Sequence, residues 1–326
     1  MSRQYIDIES PQHLGLKKDC SLNPGADEVV IAVAYAGINR ADLLQRAGLY
    51  PPPEDASPIM GLEVAGVVSA VGPGSQLRIG DRVCALVHGG GYATEAIARS
   101  DFCLKLADNI SFEQGAALPE ALLTVWYNLV ERAQLKSGER LLVHGGVSGI
   151  GSVAIQIAKY LGCEVVATAG SSEKMALCQK LGADHALNYK SPLAEQLEAV
   201  SLMGSVDVVL DMVGGDLAQF NLDALAIDGR IACIGFMRGS QCQLDLIQLL
   251  MKRATMTGST LRRLTVTEKS NCFVAVNEQV MPAIAAGTIQ PVIDSIFPLK
   301  DALAAQDHMA SGAHAGKILL DCQLQG

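Results

Sequence analysis

Eight residues constrain this chain most: His144-Gly145-Gly146-Val147-Ser148-Gly149-Ile150-Gly151. They join the apolar run Leu141-Leu142-Val143 to an amphipathic helical pattern that starts at Ser152. A strand, a glycine turn and a helix start in that order form the element that receives a dinucleotide pyrophosphate. Gly145 and Gly146 let the backbone turn tightly and approach phosphate oxygens. Gly149 and Gly151 remove side chains where the helix must come close to ligand and strand. The free N–H groups of the helix start then face the anion. Counted from Gly145, the spacing is Gly-x-x-x-Gly-x-Gly rather than the strict Gly-x-Gly-x-x-Gly, and an ordinary glycine-rich turn would read the same way. The surrounding pattern therefore has to decide.

That pattern alternates strand and helix from about 119 to 260. Strand Leu141–Val143 leads to helix Ser152–Leu161, stopped by Gly162; strand Glu164–Ala169 leads to helix Glu173–Leu181, stopped by Gly182. His185–Tyr189, a polar helical stretch, strand Val206–Asp211, helix Asp216–Ile227, strand Arg230–Phe236 and a last strand Ala254–Gly258 follow. Alternation at this spacing implies a parallel doubly wound sheet, with the glycine turn after its first strand as dinucleotide binding requires. Residues 1–118 read instead as mostly β, with strands at Glu28–Ala36, Gly66–Val71 and Asp81–Leu86. Between the first two, Pro51-Pro52-Pro53 is a stiff extended surface loop or cleft lip, because each proline fixes its φ and cannot join a central ladder. The tail carries a helical pattern near 267–286 and a strand at Lys317–Leu320, and is expected to return to the first domain. The expected division is 1–118, 119–261 and 262–326.

At 326 residues and 49% apolar, the chain suits two well-buried domains. A net charge of −9 argues against a nucleic-acid surface as its main function, and Lys252-Arg253 with Arg262-Arg263 read as solvated or interface charge. No run of about 18 apolar residues suggests a membrane span, and the first residues lack a signal-peptide core. Nine scattered cysteines without a Cys-x-x-Cys pair fit reduced thiols, so a cytoplasmic setting is expected; Cys84, Cys163, Cys178 and Cys233 read as small buried hydrophobes.

The end of the second strand bears on the cofactor. A carboxylate at that tip would hold the adenosine ribose of NAD. Here the tip reads Gly170-Ser171-Ser172-Glu173-Lys174, offering two hydroxyls and one cation. That set suits the additional phosphate of NADPH. Ser171 or Ser172 capping the next helix, with Lys174 solvated, is a second use of the same geometry.

Several further motifs occur in order. They are Asn39-Arg40-Ala41-Asp42-Leu43-Leu44-Gln45-Arg46 with Gly48-x-Tyr50-Pro51-Pro52-Pro53, then Gly61-Leu62-Glu63-x-Ala65-Gly66, Val71-Gly72-Pro73-Gly74, Gly80-Asp81-Arg82-Val83 and Gly89-Gly90-Gly91-Tyr92-Ala93. Ala117-Leu118-Pro119-Glu120, the glycine turn, Asn188-Tyr189 and Gly258-Ser259-Thr260-Leu261-Arg262 continue the series. Together they resemble the quinone oxidoreductase branch of the medium-chain dehydrogenases/reductases over essentially the whole chain. The resemblance implies an α/β protein in which a GroES-like β-rich catalytic domain is fused to a Rossmann domain. It also implies NADPH as cofactor and a homodimer joined through Rossmann sheet edges near Ala254–Gly258. Cofactor contacts carry over to Gly145, Gly146, Val147, Ser148, Gly149, Ile150, Gly170, Ser171, Lys174, Tyr189, Phe236, Met237, Ser259 and Leu261. Asn39, Thr124 and Lys317 are implied near the nicotinamide.

Zinc-dependent relatives place Cys and then His-Glu around their ion; Asn39 and Leu62-Glu63 stand at the matching positions here, and no four-cysteine lobe is present. No metal site is expected, and Glu63 reads as a buried structural acid paired with a neighbour such as an arginine. Without zinc the protein cannot strongly polarise a simple ketone. A substrate that already accepts hydride is expected: small or ortho-quinones in the interdomain cleft, or an activated alkene such as an enone or alkenal. Asn39 can orient the nicotinamide ribose or bond the substrate oxygen. Tyr50 can hydrogen-bond a developing oxyanion or simply pack on a flat substrate. His144, beside the phosphate turn, reads as structural rather than as an acid–base group. A non-enzymatic NADPH-binding role, crystallin-like or RNA-binding, is the remaining alternative.

Overall fold

In the first hundred residues the apolar positions fall in short runs broken by glycine and proline, and those runs become strands. In chain order they are β1 (Ser2–Ser10), β2 (His13–Cys20), β3 (Glu28–Gly37), α1 (Arg40–Arg46), β4 (Glu63–Val71), β5 (Arg82–Leu86), β6 (Glu95–Arg99) and β7 (Cys103–Lys105). Two short helices follow, α2 (Phe112–Ala116) and α3 (Pro119–Val125), and then a π-helical stretch, Trp126–Arg132. The alternating region supplies β8 (Arg140–Val143), α4 (Gly149–Tyr160), β9 (Glu164–Ala169), α5 (Ser172–Lys180), β10 (His185–Asn188), α6 (Leu193–Ala199) and β11 (Val206–Asp211). It continues with α7 (Leu217–Ala224), β12 (Leu225–Cys233), α8 (Leu246–Met251) and β13 (Thr255–Gly258). The last elements are α9 (Val266–Gln279), α10 (Met281–Ala285), β14 (Ile293–Pro298), α11 (Ala302–Ser311) and β15 (Lys317–Asp321). The computed structural model describes residues 2–323.

Two units emerge: Met1–Ala121 with Lys269–Gly326, and Leu122–Glu268. The first is built on a seven-stranded sheet in the order β14-β15-β3-β4-β5-β7, with β6 paired to β3. β15 lies antiparallel to β3, Leu319 facing Gly37 and Leu320 facing Ala36, so the chain's last strand is seated beside one of its first. Its core gathers Ile31, Val33, Met60, Val64, Val83, Tyr92, Ile318 and Leu320. The second unit is a six-stranded parallel sheet in the order β10-β9-β8-β11-β12-β13. β8 stands at the point where the strand order reverses, which in open α/β sheets is where ligands bind. Leu142, Val166, Leu197, Val209, Leu222 and Ile231 fill the core on one side of it.

Several elements differ from their sequence reading. The hairpin of β1 and β2 was not anticipated; its second strand is mostly exposed and carries little apolar alternation. Helix α4 begins at Gly149 rather than Ser152, because Ser148 caps it: its side chain accepts from Gly151 N–H at 2.9 Å. Helix α7 stops at Ala224 rather than Ile227. Leu225 already pairs with Val206, and Asp228 takes a left-handed φ of 64° that no helix continues through. The tail helix breaks at Val280, where Pro282 opens α10 and cannot supply the next helical N–H. Lys252 is not simply solvated: its ammonium donates to the carbonyls of Leu222 at 2.9 Å, Asp223 at 2.7 Å and Leu225 at 2.6 Å, closing the C-terminus of α7. Cys84, Cys163 and Cys178 are buried, whereas Cys233 is only half-buried.

Candidate functional site

The glycine turn sits at the C-terminal end of β8. Gly145 has φ 66°, which a side chain would strain. A Cβ on Gly151 would stand 2.2 Å from the carbonyl oxygen of Gly145 and 2.9 Å from Gly146 Cα, so the first turn of α4 and the preceding loop touch backbone to backbone. A Cβ on Gly146 would strike Cys178 Sγ at 2.7 Å and Ala167 at 2.9 Å. Val147 is buried, and Ser148, Gly149 and Ile150 are partly exposed at the helix start. The result is a close backbone cradle at the N-terminus of a 12-residue helix, suited to an anion.

His144 anchors that cradle from below. It is fully buried, with Nε2 2.7 Å from Asn221 Oδ1 and Nδ1 3.2 Å from the Thr168 hydroxyl. Asn221 in turn donates to Asp211 Oδ2 at 2.9 Å. With Asn221 Oδ1 accepting, the histidine proton belongs on Nε2, and Nδ1 accepts from Thr168. The same Thr168 oxygen accepts from Gly145 N–H at 3.2 Å. Burial holds His144 below its ordinary pKa, so it is neutral and structural. Asp211 Oδ1 also accepts from Val213 and Gly214 N–H, fixing the loop after β11. Thr168, Asp211 and Asn221 went unnoticed in sequence, since inward polar residues of a strand or helix carry no motif.

At the end of β9, Gly170 makes room for Tyr189: a Cβ there would lie 2.2 Å from the phenol oxygen. Ser171 is the N-cap of α5 and accepts from Lys174 N–H at 3.3 Å, so capping is one demonstrated use of this serine. Lys174 is partly exposed on the first turn, and the Tyr189 ring is 39% exposed. These four residues share one neighbourhood. Phe236 and Met237, after β12, are more than half exposed. Thr124 and Ser259 are tied through a residue the sequence did not flag. Buried Asn128 donates from Nδ2 to the Thr124 carbonyl at 2.8 Å and accepts the Ser259 hydroxyl on Oδ1 at 2.8 Å. Asn128 lies in the π-helical stretch, an arrangement that recurs at functional sites. Leu261 is buried in the short helix that follows.

The first unit holds a separate polar cluster. Lys317, 4% exposed, donates to the Ile38 carbonyl at 3.0 Å, to Asn39 Oδ1 at 2.7 Å and to Glu63 Oε1. Glu63, fully buried, also accepts from Asn39 Nδ2 at 2.8 Å and from Glu120 N–H at 2.9 Å. The partner of this acid is therefore a lysine and not an arginine; β15 beside β3 delivers it. Both heavy atoms of the Asn39 amide are engaged, which leaves a single N–H of Nδ2 to offer a ligand. Asp42 lies next to this cluster, accepting from Asn39 N–H at 2.8 Å, the Tyr92 hydroxyl at 3.0 Å and Gly61 N–H at 3.3 Å. Burial pushes Asp42 up to about 6 despite those bonds and the Lys317 charge. Tyr50 follows α1 and is half-buried, its N–H on the Leu44 carbonyl at 3.2 Å. Pro51–Pro53 belong to no strand. Among the described residues no group of three or more His, Cys, Asp or Glu side chains is placed to share a metal ion.

The family model described as a zinc-binding dehydrogenase matches residues 149–276, and that of the alcohol dehydrogenase GroES-like domain matches 25–108. The crystal structure of Escherichia coli quinone oxidoreductase complexed with NADPH is 31% identical over 98% of this chain and 100% of that one, with a TM-score of 0.86. This chain belongs to the medium-chain dehydrogenase/reductase family. Quinone oxidoreductases recur among the family members it resembles in structure, as in the quinone oxidoreductase branch. The CurK enoyl reductase is 28% identical over 98% of this chain and 99% of its own, with a TM-score of 0.85. Among curated relatives, a mycocerosic acid synthase-like polyketide synthase of Mycobacterium tuberculosis is 32% identical over 91% of this chain. The chain spans only 14% of that synthase's length. Within the medium-chain dehydrogenase/reductase frame, the parallel sheet is the Rossmann domain and the β15–β3 sheet the GroES-like domain. No helix among the described residues is long and apolar enough to cross a membrane.

Proposed function

We propose that this chain is an NADPH-dependent reductase that delivers hydride to small or ortho-quinones without a metal. The observation that carries the reading is the end-to-end likeness to a quinone oxidoreductase complexed with NADPH. The backbone cradle of Gly145–Ile150 supports it, because Gly151 lets the first turn of α4 close against the Gly145 carbonyl, where a side chain would clash. NADPH supplies the hydride when bound. The chain's own residues then bind and position. The N–H groups at the start of α4 take the pyrophosphate. Ser171, Lys174 and Tyr189 take the 2′-phosphate, and Phe236, Met237, Thr124, Ser259 and Leu261 line the nicotinamide half. Asn39 donates its remaining amide N–H to a ribose or substrate oxygen. Lys317 acts through Asn39, since its ammonium is already committed to three acceptors. Tyr50 packs on the quinone or donates to the oxyanion, and solvent protonates the product. An ammonium surrounded by Asn39 and Glu63 stands where zinc-dependent relatives gather ligands, so the substrate must itself be electrophilic.

A second reading, reduction of an alkene conjugated to a carbonyl, is favoured by the likeness to the CurK enoyl reductase and to polyketide synthases. A homodimer fits the second unit. β13 is an edge strand, and α8, which precedes it in the chain, exposes Leu246, Ile247, Leu250 and Met251, each at least 68%. The deciding experiment follows NADPH oxidation with 1,2-naphthoquinone and with an enal, with chelator present, and repeats it with NADH. Rapid chelator-insensitive quinone reduction that Lys174→Glu abolishes supports the reading. Enal preference transfers it to alkene reduction, and NADPH binding without turnover of either removes the enzymatic assignment.

A further inference from the structure

We infer that Arg238 is an additional phosphate ligand of the dinucleotide site, closing over the cofactor from the loop after β12. This rests on the reading of the second unit as an NADPH site. Arg238 lies outside the residues carried over by family resemblance and in no motif. Its position is what singles it out. Its backbone is pinned beside the loop that follows β11, with N–H on the Val213 carbonyl at 2.8 Å. Met212, one residue earlier in that loop, lies against Gly145. From there the side chain crosses the C-terminal edge of the sheet. The guanidinium lies 5.9 Å from the centre of the Tyr189 ring, which belongs to the far side, after β10. Its other partner is Asp216 Oδ1 at 3.6 Å, after β11. A group that faces residues following β10 and β11 at once spans the strands between them, β9 and β8. Those strands end in Gly170-Ser171 and in the glycine turn.

The charge logic agrees. The cradle offers N–H groups but no side-chain cation, and Lys174 is a compact point charge on one flank. A guanidinium supplies a planar fork that grips a phosphate with two parallel bonds. Its present partners are easy to leave: an ion pair with a carboxylate whose side chain is 73% exposed, and the face of a half-exposed ring. On binding, the guanidinium exchanges Asp216 for a phosphate while the aliphatic stem keeps its place. The phosphate is that of the 2′ position or of the pyrophosphate, and the two give different results below.

The test is titration of the full chain with NADPH and with NADH by calorimetry, for the parent, Arg238→Ala and Arg238→Lys. Loss of charge-assisted bonds predicts that NADPH binding weakens roughly ten- to a hundredfold in Arg238→Ala, with Arg238→Lys between. A loss confined to NADPH identifies the 2′-phosphate; an equal loss with NADH identifies the pyrophosphate. Unchanged dissociation constants for both nucleotides in Arg238→Ala, with the thermal transition intact, would overturn the assignment. A parent protein that binds neither nucleotide would overturn both this assignment and the cofactor reading beneath it.

Discussion

Replacing Lys317 by methionine tests the central claim about the first unit. The side chain is 4% exposed, and its ammonium serves three acceptors, of which the Glu63 carboxylate is fully buried. Methionine keeps most of the volume and removes the charge. Glu63 then retains only the Asn39 amide and the Glu120 N–H, neither of them charged. Breaking a buried pair by removing one partner costs about 3–5 kcal/mol. The abandoned carbonyls of Ile38 and Asn39 belong to the same network, so their losses overlap with that figure rather than adding to it. For a unit of this size the transition should fall by roughly 10 °C. Far-UV circular dichroism follows it, while fluorescence of Trp126, the chain's single tryptophan and a residue of the second unit, reports that unit separately. Adding Glu63→Gln to Lys317→Met should recover at least half of the loss, because the stranded charge is gone. A Lys317→Met protein within about 1 kcal/mol of the parent, or a double variant as damaged as the sum of both singles, would refute the buried pair.

Gly151→Ala should lower the thermal transition and weaken NADPH binding more than about tenfold, although alanine ordinarily stabilises a helix by about 1 kcal/mol. Its Cβ meets backbone of the phosphate turn, and a rise in the transition would contradict this. Gly170→Ala meets only the far end of Tyr189, so the fold should tolerate it while NADPH affinity falls selectively; an equal fall with NADH would be the wrong result. Asp42, held up to about 6 against about 3.9 when unfolded, is protonated first in the native state. Its contribution is therefore present in full below about pH 4 and lost as pH rises to about 6, by roughly 2–3 kcal/mol at most. Urea midpoints of the parent and of Asp42→Asn should diverge across that window, and parallel curves would dismiss the shift. Sedimentation should show the parent as a dimer and Ile247→Glu/Leu250→Glu as a monomer; a parent already monomeric at micromolar concentration would remove the edge-pairing proposal.

Much of the second unit is legible in the sequence. Gly145, Gly146 and Gly151 declare a tight turn that side chains would disturb, and apolar runs alternating with helical patterns declare a parallel sheet. What eluded the sequence were polar side chains with no periodic signature. Thr168, Asn221 and Asp211 lie 24 to 77 residues from His144, yet their hydrogen bonds hold it and the turn. Asn128 resembles any helical asparagine until its two bonds to Thr124 and Ser259 are seen. Arg238 has no local pattern at all, because its meaning comes from crossing two strand ends.

The sequence by itself determined the elements and their chemistry: a glycine turn between strand and helix, a hydroxyl-and-cation tip after β9, and Asn39 with Glu63 where a metal's ligands would stand. These are local properties, set by φ preferences, periodicity and residue type. Only the tertiary structure decided which distant groups complete each site. Glu63 acquired Lys317, 254 residues away, because β15 pairs with β3 and sets a lysine against its carboxylate. A buried charge needs a partner, but sequence separation carries no information about which partner will arrive; that is settled by strand pairing, where one register brings a given pair together and the next turns it to the opposite face.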